Sequence, residues 1–322
     1  MKNTITLFIL FLFITLNANA DELNLEEQFI TTNSHQANLI YKIKPNSKKA
    51  VLYIHGFNDY FFNKEFASRF LNQGYSFFAI DLHNYGKNIK KETKRYFFRD
   101  AKEFYPEINQ AINIIKNEYN IENITLYGIS QGGLLAALYE NDNKKVDALI
   151  LDSPFFDFHF NWFLENLALP IVSQIGSFFP NFVLESEEVN VFGKTIHKDF
   201  DGEWDIDMNL KAITTNAPVY LGWIHAVYEA QQRLQNGLDI KVPSLILYSD
   251  KSTTEQSDKK YHHISDIVLD VKDMDKYANM LSKNNALITK KEIQKGMHGI
   301  LISPKPVRDI AYNKIFNWLN EK

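Results

Sequence analysis

A serine between glycines lies at the junction of a strand pattern and a helix pattern. The apolar run at residues 124–127 is followed by Gly128-Ile129-Ser130-Gln131-Gly132, and residues 134–139 have the character of a buried helix. A nucleophilic serine requires a sharp turn between strand and helix, and glycines on either side let neighbouring backbones pass closely. The amino end of the helix also favours negative charge that develops there. This pattern predicts Ser130 as the nucleophile of an acyl-transfer reaction.

A second short motif predicts the donors that would stabilise the oxyanion of such a reaction. His55-Gly56-Phe57 directly follows the strand pattern Ala50–Ile54. In this position the backbone amide of Phe57 can point toward the reacting carbonyl, and the amide of Gln131 supplies a second donor. We therefore predict an oxyanion hole formed by the amides of Phe57 and Gln131. His55 is expected to support this loop rather than to act as a base or a metal ligand.

The general base is expected to be a histidine in a loop after the last strands. Histidine occurs nine times, at positions 35, 55, 83, 159, 197, 225, 262, 263 and 298. Only His298 follows a strand pattern near the C-terminus, and its neighbours Gly296 and Gly299 permit a tight, exposed turn, so we predict His298 as the base. His262 and His263 with Asp266 match no familiar metal-ligand spacing, and no metal or cofactor is predicted.

The third member of the site should orient His298 and stabilise its imidazolium form. The strand pattern Ser244–Tyr248 leads into a carboxylate, Asp250, which is the first choice for this role. Asp152, at the end of the preceding strand pattern, remains an alternative. Asp270 and Asp273 follow later and are typical of a helix start.

Short apolar runs alternate with helical patterns along most of the chain. Seven runs are predicted as strands: Ala37–Ile43, Ala50–Ile54, Ser76–Ile80, Ile124–Tyr127, Ala148–Leu151, Ser244–Tyr248 and Ala286–Ile293. Several are apolar throughout, which is typical of parallel strands buried on both faces, and helical patterns such as Ala101–Glu118 separate them. We therefore predict an α/β fold with a mostly parallel sheet.

The alternation stops once, between residues 154 and 240, where aromatic-rich and mainly helical sequence surrounds a polar middle. Such a segment is too long for a loop and must carry its own structure. The predicted division is a core of residues 21–153 and 241–322 with an insertion at 154–240.

The first twenty residues have the organisation of a secretory signal peptide. Lys2 precedes an apolar run from Ile5 to Leu16, and Asn17-Ala18-Asn19-Ala20 ends in small residues, which predicts cleavage after Ala20. The apolar run spans about 18 Å as a helix, short of the roughly 30 Å hydrocarbon core. We therefore expect an exported protein, periplasmic or secreted.

Composition excludes several classes of protein. The 322 residues are 45% hydrophobic and 23% charged with a formal net charge of −4, which argues against a general nucleic-acid binder. The absence of cysteine excludes a disulfide scaffold and a lipid-modified cysteine, so we expect no stable membrane anchor.

Aromatic residues make up 14% of the chain, and eight Phe and one Trp occur in Phe155–Phe182. These aromatics either pack against the core or line a pocket for an acyl chain or an aromatic group.

Taken together, these motifs resemble those of an α/β-hydrolase of the serine aminopeptidase and monoacylglycerol lipase-like group, also called lysophospholipase-like. The residues that carry the resemblance extend over nearly the whole chain after the signal peptide: His55-Gly56-Phe57, Asp81 with Tyr85-Gly86, Gly128–Gly132, Asp250 and His298. The order serine, aspartate, histidine is that of α/β-hydrolases. Two departures are Ile129, where relatives often carry His, and residues 81–87, which lack the common Arg-Gly.

The resemblance implies a helical cap inserted between the sixth and seventh core strands. It also implies a cofactor-independent serine hydrolase that cleaves carboxylic esters through an acyl-enzyme on Ser130. The expected substrates are lipid-like acyl esters of the monoacylglycerol or lysophospholipid type. An exported peptidase or amidase with the same triad remains an alternative, with Glu185, Glu187 and Glu188 as candidate anchors for a free amine. A non-catalytic binding protein with this fold is a third reading.

Overall fold

The computed structural model describes residues 23–32, 35–160 and 163–322, so the predicted signal peptide at residues 1–20 lies outside the described residues. Eight strands form one sheet in the order β1-β2-β4-β3-β5-β6-β9-β10, and a short hairpin pairs β7 with β8. The strands are β1 Glu26–Thr31, β2 Gln36–Lys42, β3 Lys49–Ile54, β4 Ser76–Asp81, β5 Asn123–Ile129, β6 Ala148–Asp152, β7 Val183–Leu184, β8 Val219–Tyr220, β9 Ser244–Ser249 and β10 Ile288–Ile293. All seven predicted strands are confirmed.

The sheet is parallel from β4 to β10, whereas β1 and β2 are antiparallel at one edge. Strand β1 is not among the predicted strands, because its residues Glu-Glu-Gln-Phe-Ile-Thr are largely exposed and lack an apolar run. An edge strand with one neighbour needs little apolar surface, so hydrophobic patterning does not reveal it.

Helices cover both faces of the sheet. They are α1 Lys64–Asn72, α2 Tyr105–Asn113, α3 Gln131–Asn143, α4 Leu169–Phe178, α5 Val191–Ile196, α6 Leu221–Gln235, α7 Val271–Ala278 and α8 Lys305–Asn320. The predicted helix Ala101–Glu118 is a continuous helical stretch in which a 3₁₀ turn precedes α2 and a π-helical turn follows it. None of the helices in the described part of the chain combines the length and apolar character needed to cross a membrane.

Alternate residues of the central strands enter two separate cores. On β3, Val51 and Tyr53 pack with α1 and α8, while Leu52 and Ile54 pack with α2 and α3. Both sets are buried because the strand has helices on each side, and this explains why its sequence is apolar without alternation. The carboxyl ends of the parallel strands are therefore held in a rigid, close-packed frame.

The chain between β6 and β9, the sixth and seventh strands of the large sheet, forms the insertion expected from the sequence. It contains α4, α5, α6 and the β7–β8 hairpin. Helices α4 and α6 pack closely at Gly176, where a Cβ would overlap the carbonyl oxygen of Leu221. Ser173 Oγ and His225 Nδ1 are 3.0 Å apart across the same helix pair. On α6, Trp223, Val227 and Leu234 are buried in the core on the α2–α3 side of the sheet.

Candidate active site

Ser130 occupies a strained turn at the carboxyl end of β5. Its φ of 53° and ψ of −120° lie in a region that L residues rarely adopt, and α3 starts at the next residue. A Cβ at Gly128 would overlap the backbone of Gly132, and one at Gly132 would overlap the carbonyl oxygen of His55. The glycines are therefore required by close backbone approach, as the sequence motif predicts. The strain is held in place by neighbours, because Ser130 N donates to the Asp152 carbonyl oxygen at 2.9 Å.

The structure brings His298 against Ser130. The distance from His298 Nε2 to Ser130 Oγ is 3.0 Å, and the imidazole is 5% exposed. The loop that carries it follows β10, and Gly299 adopts a φ of 76° at its turn. Two bonds fix this loop, from Met297 N to Ser303 Oγ at 2.9 Å and from Gly299 N to Ser153 Oγ at 3.0 Å. The predicted serine and histidine thus form the expected hydrogen-bonded pair.

The carboxylate that contacts His298 is Asp266, and the prediction of Asp250 is wrong on this geometry. His298 Nδ1 lies 2.9 Å from Asp266 Oδ2. The other oxygen, Asp266 Oδ1, accepts from Val268 N at 2.9 Å and from Leu269 N at 2.8 Å. This fully buried carboxylate is therefore fixed from both sides. The side chain of Asp250 instead accepts from Lys295 N at 2.6 Å.

Asp266 reaches the strand end because the chain after β9 leaves the sheet and returns. Ser252 pairs with Asp266 in an isolated parallel bridge, Thr253 N donates to the Asp266 carbonyl oxygen at 2.8 Å, and Asp266 N donates to Lys251 O at 3.0 Å. These contacts place Asp266 beside the residues that directly follow β9. One sequence signal was available, since Asp266 precedes the apolar run Ile267-Val268-Leu269, whereas Asp250 begins a polar stretch.

The alternatives considered for the acid have other partners. Asp152 is buried, and its carboxylate accepts from Tyr127 Oη, from Ile300 N at 2.7 Å and from Leu301 N at 3.3 Å. It therefore ties β6 to the histidine loop without contacting the imidazole. Burial raises the pKa of this carboxyl. Asp270 caps the amino end of α7, as the sequence analysis expected.

The loop after β3 passes directly beside Ser130. A Cβ at Gly56 would lie 3.2 Å from Ser130 Cβ, and Phe57 lines the same cavity as Ser130. Gln131 is the first residue of α3, where a backbone amide has no partner within its own helix. Its side chain is held by Trp223 Nε1 at 2.7 Å and by Tyr85 Oη at 3.0 Å. Both residues predicted for the oxyanion hole thus lie beside the serine, and their role as donors remains a prediction.

His55 supports this loop through both of its ring nitrogens. Its Nδ1 contacts Gly56 O at 2.8 Å and its Nε2 accepts from Leu82 N at 3.1 Å, so both ring nitrogens are used. Burial lowers the pKa of His55 to about 4, which keeps the ring neutral. The expectation that His55 acts as a loop support is therefore confirmed.

The same loop is tied to the insertion. Asn58 and Ala212 exchange two hydrogen bonds of 2.9 and 2.8 Å, and Lys211 Nζ lies 2.6 Å from Asp59 Oδ1 in a buried ion pair. Asp59 Oδ2 also accepts from Gly56 N at 3.4 Å. The position of the Gly56–Phe57 turn is thus coupled to residues of the insertion.

A cavity of about 600 Å³ opens at Ser130 and His298. Its walls are mostly apolar and come from the insertion and the β3 loop, with Phe57, Phe155, Phe158, Leu169, Phe192 and Trp223 among them. Phe57 and Trp223 have ring centroids 4.5 Å apart, and those of Phe155 and Phe158 are 4.9 Å apart. Acidic side chains also border the cavity, from Glu185, Glu188 and Glu255.

The eight phenylalanines of Phe155–Phe182 divide into three groups. Phe156 is buried in the core, and Phe155, Phe158 and Phe160 line the cavity. The remaining four are between 59 and 72% exposed: Phe163, Phe178, Phe179 and Phe182. Neither explanation offered by the sequence, core packing or pocket lining, accounts for this last group.

Known proteins resemble this chain in sequence family and in fold. Residues 45–281 match the Hydrolase_4 family model, described as serine aminopeptidase, S33. The chain belongs to this family. Because the match covers most of the chain, including the serine motif and Asp266, the protein is a hydrolase of the serine α/β type. His298 lies beyond the matched residues. No curated protein matches the sequence.

Solved structures resemble this S33 family member in fold. A soluble variant of monoglyceride lipase from Saccharomyces cerevisiae, in complex with a substrate analogue, has 16% identity and a TM-score of 0.67, covering 95% of this chain and 99% of that one. The monoacylglycerol lipase of Paleococcus ferrophilus has 16% identity and a TM-score of 0.63, with coverages of 92 and 98%. Est1E from Butyrivibrio proteoclasticus, with ferulic acid bound, has 14% identity and a TM-score of 0.58, with coverages of 91 and 98%. At such identities the likeness establishes the α/β-hydrolase fold.

Proposed function

We propose that the protein hydrolyses carboxylic esters through an acyl-enzyme on Ser130. The observation that carries the proposal is the chain of contacts from Ser130 Oγ through His298 to Asp266, at 3.0 and 2.9 Å, opening into an apolar cavity. In the first step His298 Nε2 takes the hydroxyl proton while Ser130 Oγ attacks the ester carbonyl carbon. The carbon–oxygen bond to the alcohol then breaks, and His298 returns the proton to that oxygen.

Water completes the cycle on the same groups. His298 Nε2 removes a proton from water, the resulting hydroxide attacks the acyl carbon, and the proton returns to Ser130 Oγ as the carboxylic acid leaves. The amides of Phe57 and Gln131 are the proposed donors to the oxyanion of both tetrahedral intermediates. Asp266 holds the imidazole with Nδ1 protonated and stabilises the imidazolium form.

Lipid-like acyl esters are the proposed substrates. An aromatic and aliphatic cavity of about 600 Å³ beside the serine suits an acyl chain, since burying apolar surface is favourable. Two of the proteins that share the fold are named as a monoglyceride lipase and a monoacylglycerol lipase. We further propose that residues 154–240 act as a cap whose inner side selects the chain, because Phe155, Leu169 and Trp223 of this segment line the cavity.

A panel of p-nitrophenyl esters from acetyl to dodecanoyl tests the substrate class. For a lipid-like substrate we expect kcat/KM to rise with chain length through the medium-chain esters. A maximum at acetyl with a steady decline would contradict the lipid proposal while leaving ester hydrolysis in place.

Labelling with a fluorophosphonate separates the enzyme from a binding protein, because only an activated Ser130 forms the adduct. Ser130→Ala is the matched control.

An aminopeptidase-like activity is a second candidate, favoured by one observation. Glu185 and Glu188, two of the three acidic residues suggested by the sequence as amine anchors, border the cavity, as does Glu255. A carboxylate in the wall of the cavity is a suitable partner for the free amine of a peptide. Aminoacyl p-nitroanilides measured beside the ester panel distinguish the two. Turnover of the anilides that falls in a Glu185→Gln/Glu188→Gln variant, with ester turnover unchanged, would favour the peptidase.

Export is proposed from the sequence of residues 1–20. The expected product is a mature chain that begins at Asp21. Intact-mass measurement of the protein recovered from the envelope and from the medium tests this expectation. A chain that retains Met1 in the cytosol would contradict it.

A further inference from the structure

A second buried histidine–carboxylate pair lies away from Ser130, at the edge of the sheet near β2 and β4. His83 follows β4 and is 4% exposed, and Glu107 of α2 is fully buried. Glu107 Oε1 contacts His83 Nδ1, and Glu107 Oε2 accepts from His83 N at 3.1 Å. One carboxylate therefore fixes both the backbone and the ring of His83. The proposed ester hydrolysis uses neither residue.

The other ring nitrogen of this histidine, Nε2, is buried and has no hydrogen-bond partner among the residues that the structure describes. This is unusual, because buried polar atoms nearly always find a partner. The nearest carboxylate oxygen, Glu103 Oε2, is 3.9 Å away, beyond hydrogen-bonding distance. Glu103 Oε1 is already used by Arg99 N at 3.0 Å, which leaves Oε2 facing the histidine.

A second imidazole completes the cluster. The ring of His35, just before β2, stacks on His83 with centroids 3.9 Å apart and planes inclined by 22°. Donor atoms of His35, His83 and Glu107 all lie within 4.8 Å of one another. Tetrahedral zinc with metal–ligand bonds near 2.0–2.1 Å separates its donors by about 3.4 Å. Because imidazole binds a metal in the plane of its ring, the His35 ring would turn out of the stack on His83 to face the same ion.

We propose that this cluster binds a divalent transition metal ion, with Zn²⁺ as the best match to its donors. His35 and His83 Nε2 supply imidazole nitrogens, and Glu103 Oε2 is the carboxylate closest to the open nitrogen. Glu107 then plays the part of the carboxylate that holds a metal-bound histidine through its other ring nitrogen. Two imidazoles and a carboxylate form a familiar zinc ligand set, whereas Mg²⁺ and Ca²⁺ prefer oxygen donors alone.

The position of the site indicates a structural role. His35 precedes β2, the second strand from the antiparallel edge of the sheet, whereas Glu103 and Glu107 belong to the helical stretch that includes α2. An ion held by both would join the antiparallel edge of the sheet to the helix beside it. Metal that binds only the folded chain raises its stability by an amount that grows with the logarithm of its affinity, so occupancy should be visible in unfolding.

Zinc titration of the full chain, stripped of metal by chelation and dialysis, tests the proposal. By calorimetry we expect one Zn²⁺ per chain with micromolar or tighter affinity, and a higher melting temperature in its presence. His35→Gln should weaken binding by at least about tenfold, since it removes a donor. His83→Arg should do the same while retaining a cation between the two carboxylates. His263→Gln, in a histidine pair outside the cluster, is the matched control and should bind as the unmodified chain does.

Two results would overturn the proposal. In one, the unmodified chain binds no zinc up to high micromolar concentration, which would leave a proton as the occupant of His83 Nε2. In the other, His35→Gln and His83→Arg bind zinc as tightly as the unmodified chain, which would place the ion elsewhere. Because His35 is only partly buried, its variant remains informative if the His83 variant does not fold.

Discussion

The protein contains two buried histidine–carboxylate pairs, His298 with Asp266 and His83 with Glu107. In both, the carboxylate contacts Nδ1 and also accepts backbone amides, so it cannot easily turn away. The pairs differ at Nε2. For His298 this atom lies 3.0 Å from the Ser130 hydroxyl beside an open cavity, whereas for His83 no described residue offers it a hydrogen bond.

The carboxylate therefore holds the imidazole in both pairs but does not determine its use. Fixing Nδ1 sets the orientation of the ring and leaves Nε2 as the nitrogen that faces the next group. A hydroxyl at Nε2 suits this nitrogen to proton transfer, whereas a second imidazole and a carboxylate suit it to metal binding. The group at Nε2 is therefore what distinguishes the proposed base from the proposed ligand.

Removing the hydroxyl has the largest expected effect and should separate the two pairs completely. In Ser130→Ala we expect kcat for a p-nitrophenyl ester to fall by about 10⁶-fold, because the nucleophile is lost. Zinc affinity should remain unchanged, since the His83 pair is untouched. Ester activity that survives in purified Ser130→Ala would refute the acyl-enzyme proposal.

Changing the acid of the first pair should cost about 10⁴-fold in kcat. Asp266→Asn keeps the shape of the side chain but favours the wrong imidazole tautomer, which leaves Nε2 unable to accept the serine proton. Asp250→Asn is the matched control and should stay within about twofold, as its carboxylate bonds to a backbone amide instead. A large loss in the Asp250 variant with little loss in the Asp266 variant would reverse the assignment.

Asp250 and Asp266 also show which part of the site can be predicted from the sequence alone and which part cannot. Ser130, His298 and the β3 loop follow from local motifs at strand ends, because strand–turn–helix geometry is encoded within a few residues. Asp266 is delivered by a long segment that pairs with Ser252 only after folding. Its position depends on a tertiary contact, which strand-end patterning does not record.

The same limit applies to the insertion and to the second pair. Helical periodicity and the missing alternation predicted a separate structured segment, and in the structure this part of the chain lies between the sixth and seventh strands of the large sheet. Which of its phenylalanines face the cavity depends on how α4 and α6 dock. His35 and His83 are far apart in sequence and approach only because β2 and β4 are neighbours in the sheet.

A third buried histidine, His55, shows what burial does without a carboxylate in contact. Burial lowers the pKa of His55 to about 4. Burial acts in the same direction on His83, but the carboxylates of Glu103 and Glu107 raise its pKa to about 9. The unfolded chain binds a proton near pH 6.5 and folded His55 does not, so this group's contribution to stability falls as the pH drops from 6.5 toward 4. The loss should be on the order of 3 kcal/mol.

Comparison with His55→Gln isolates this contribution, because glutamine cannot be protonated in that range. Urea unfolding at several pH values should show a smaller loss of stability in the variant between pH 6.5 and 4. Parallel pH profiles for the two proteins would mean that His55 is protonated in the folded state.

The smallest expected effect concerns the carboxylate of the second pair. In Glu107→Gln the amide can still contact His83 but no longer carries charge, so zinc affinity should fall by about tenfold while kcat for the ester stays unchanged. The Glu140→Gln variant changes another buried glutamate, one that accepts backbone amides of Lys145 and Val146, and provides the matched control for the lost charge. Equal zinc affinities in the two variants would show that the carboxylate beside His83 contributes nothing to the metal site. A parallel loss of kcat in Glu107→Gln alone would instead mean that the two histidine–carboxylate pairs are coupled through the β4 loop and Tyr85, which bonds to Gln131 beside the serine.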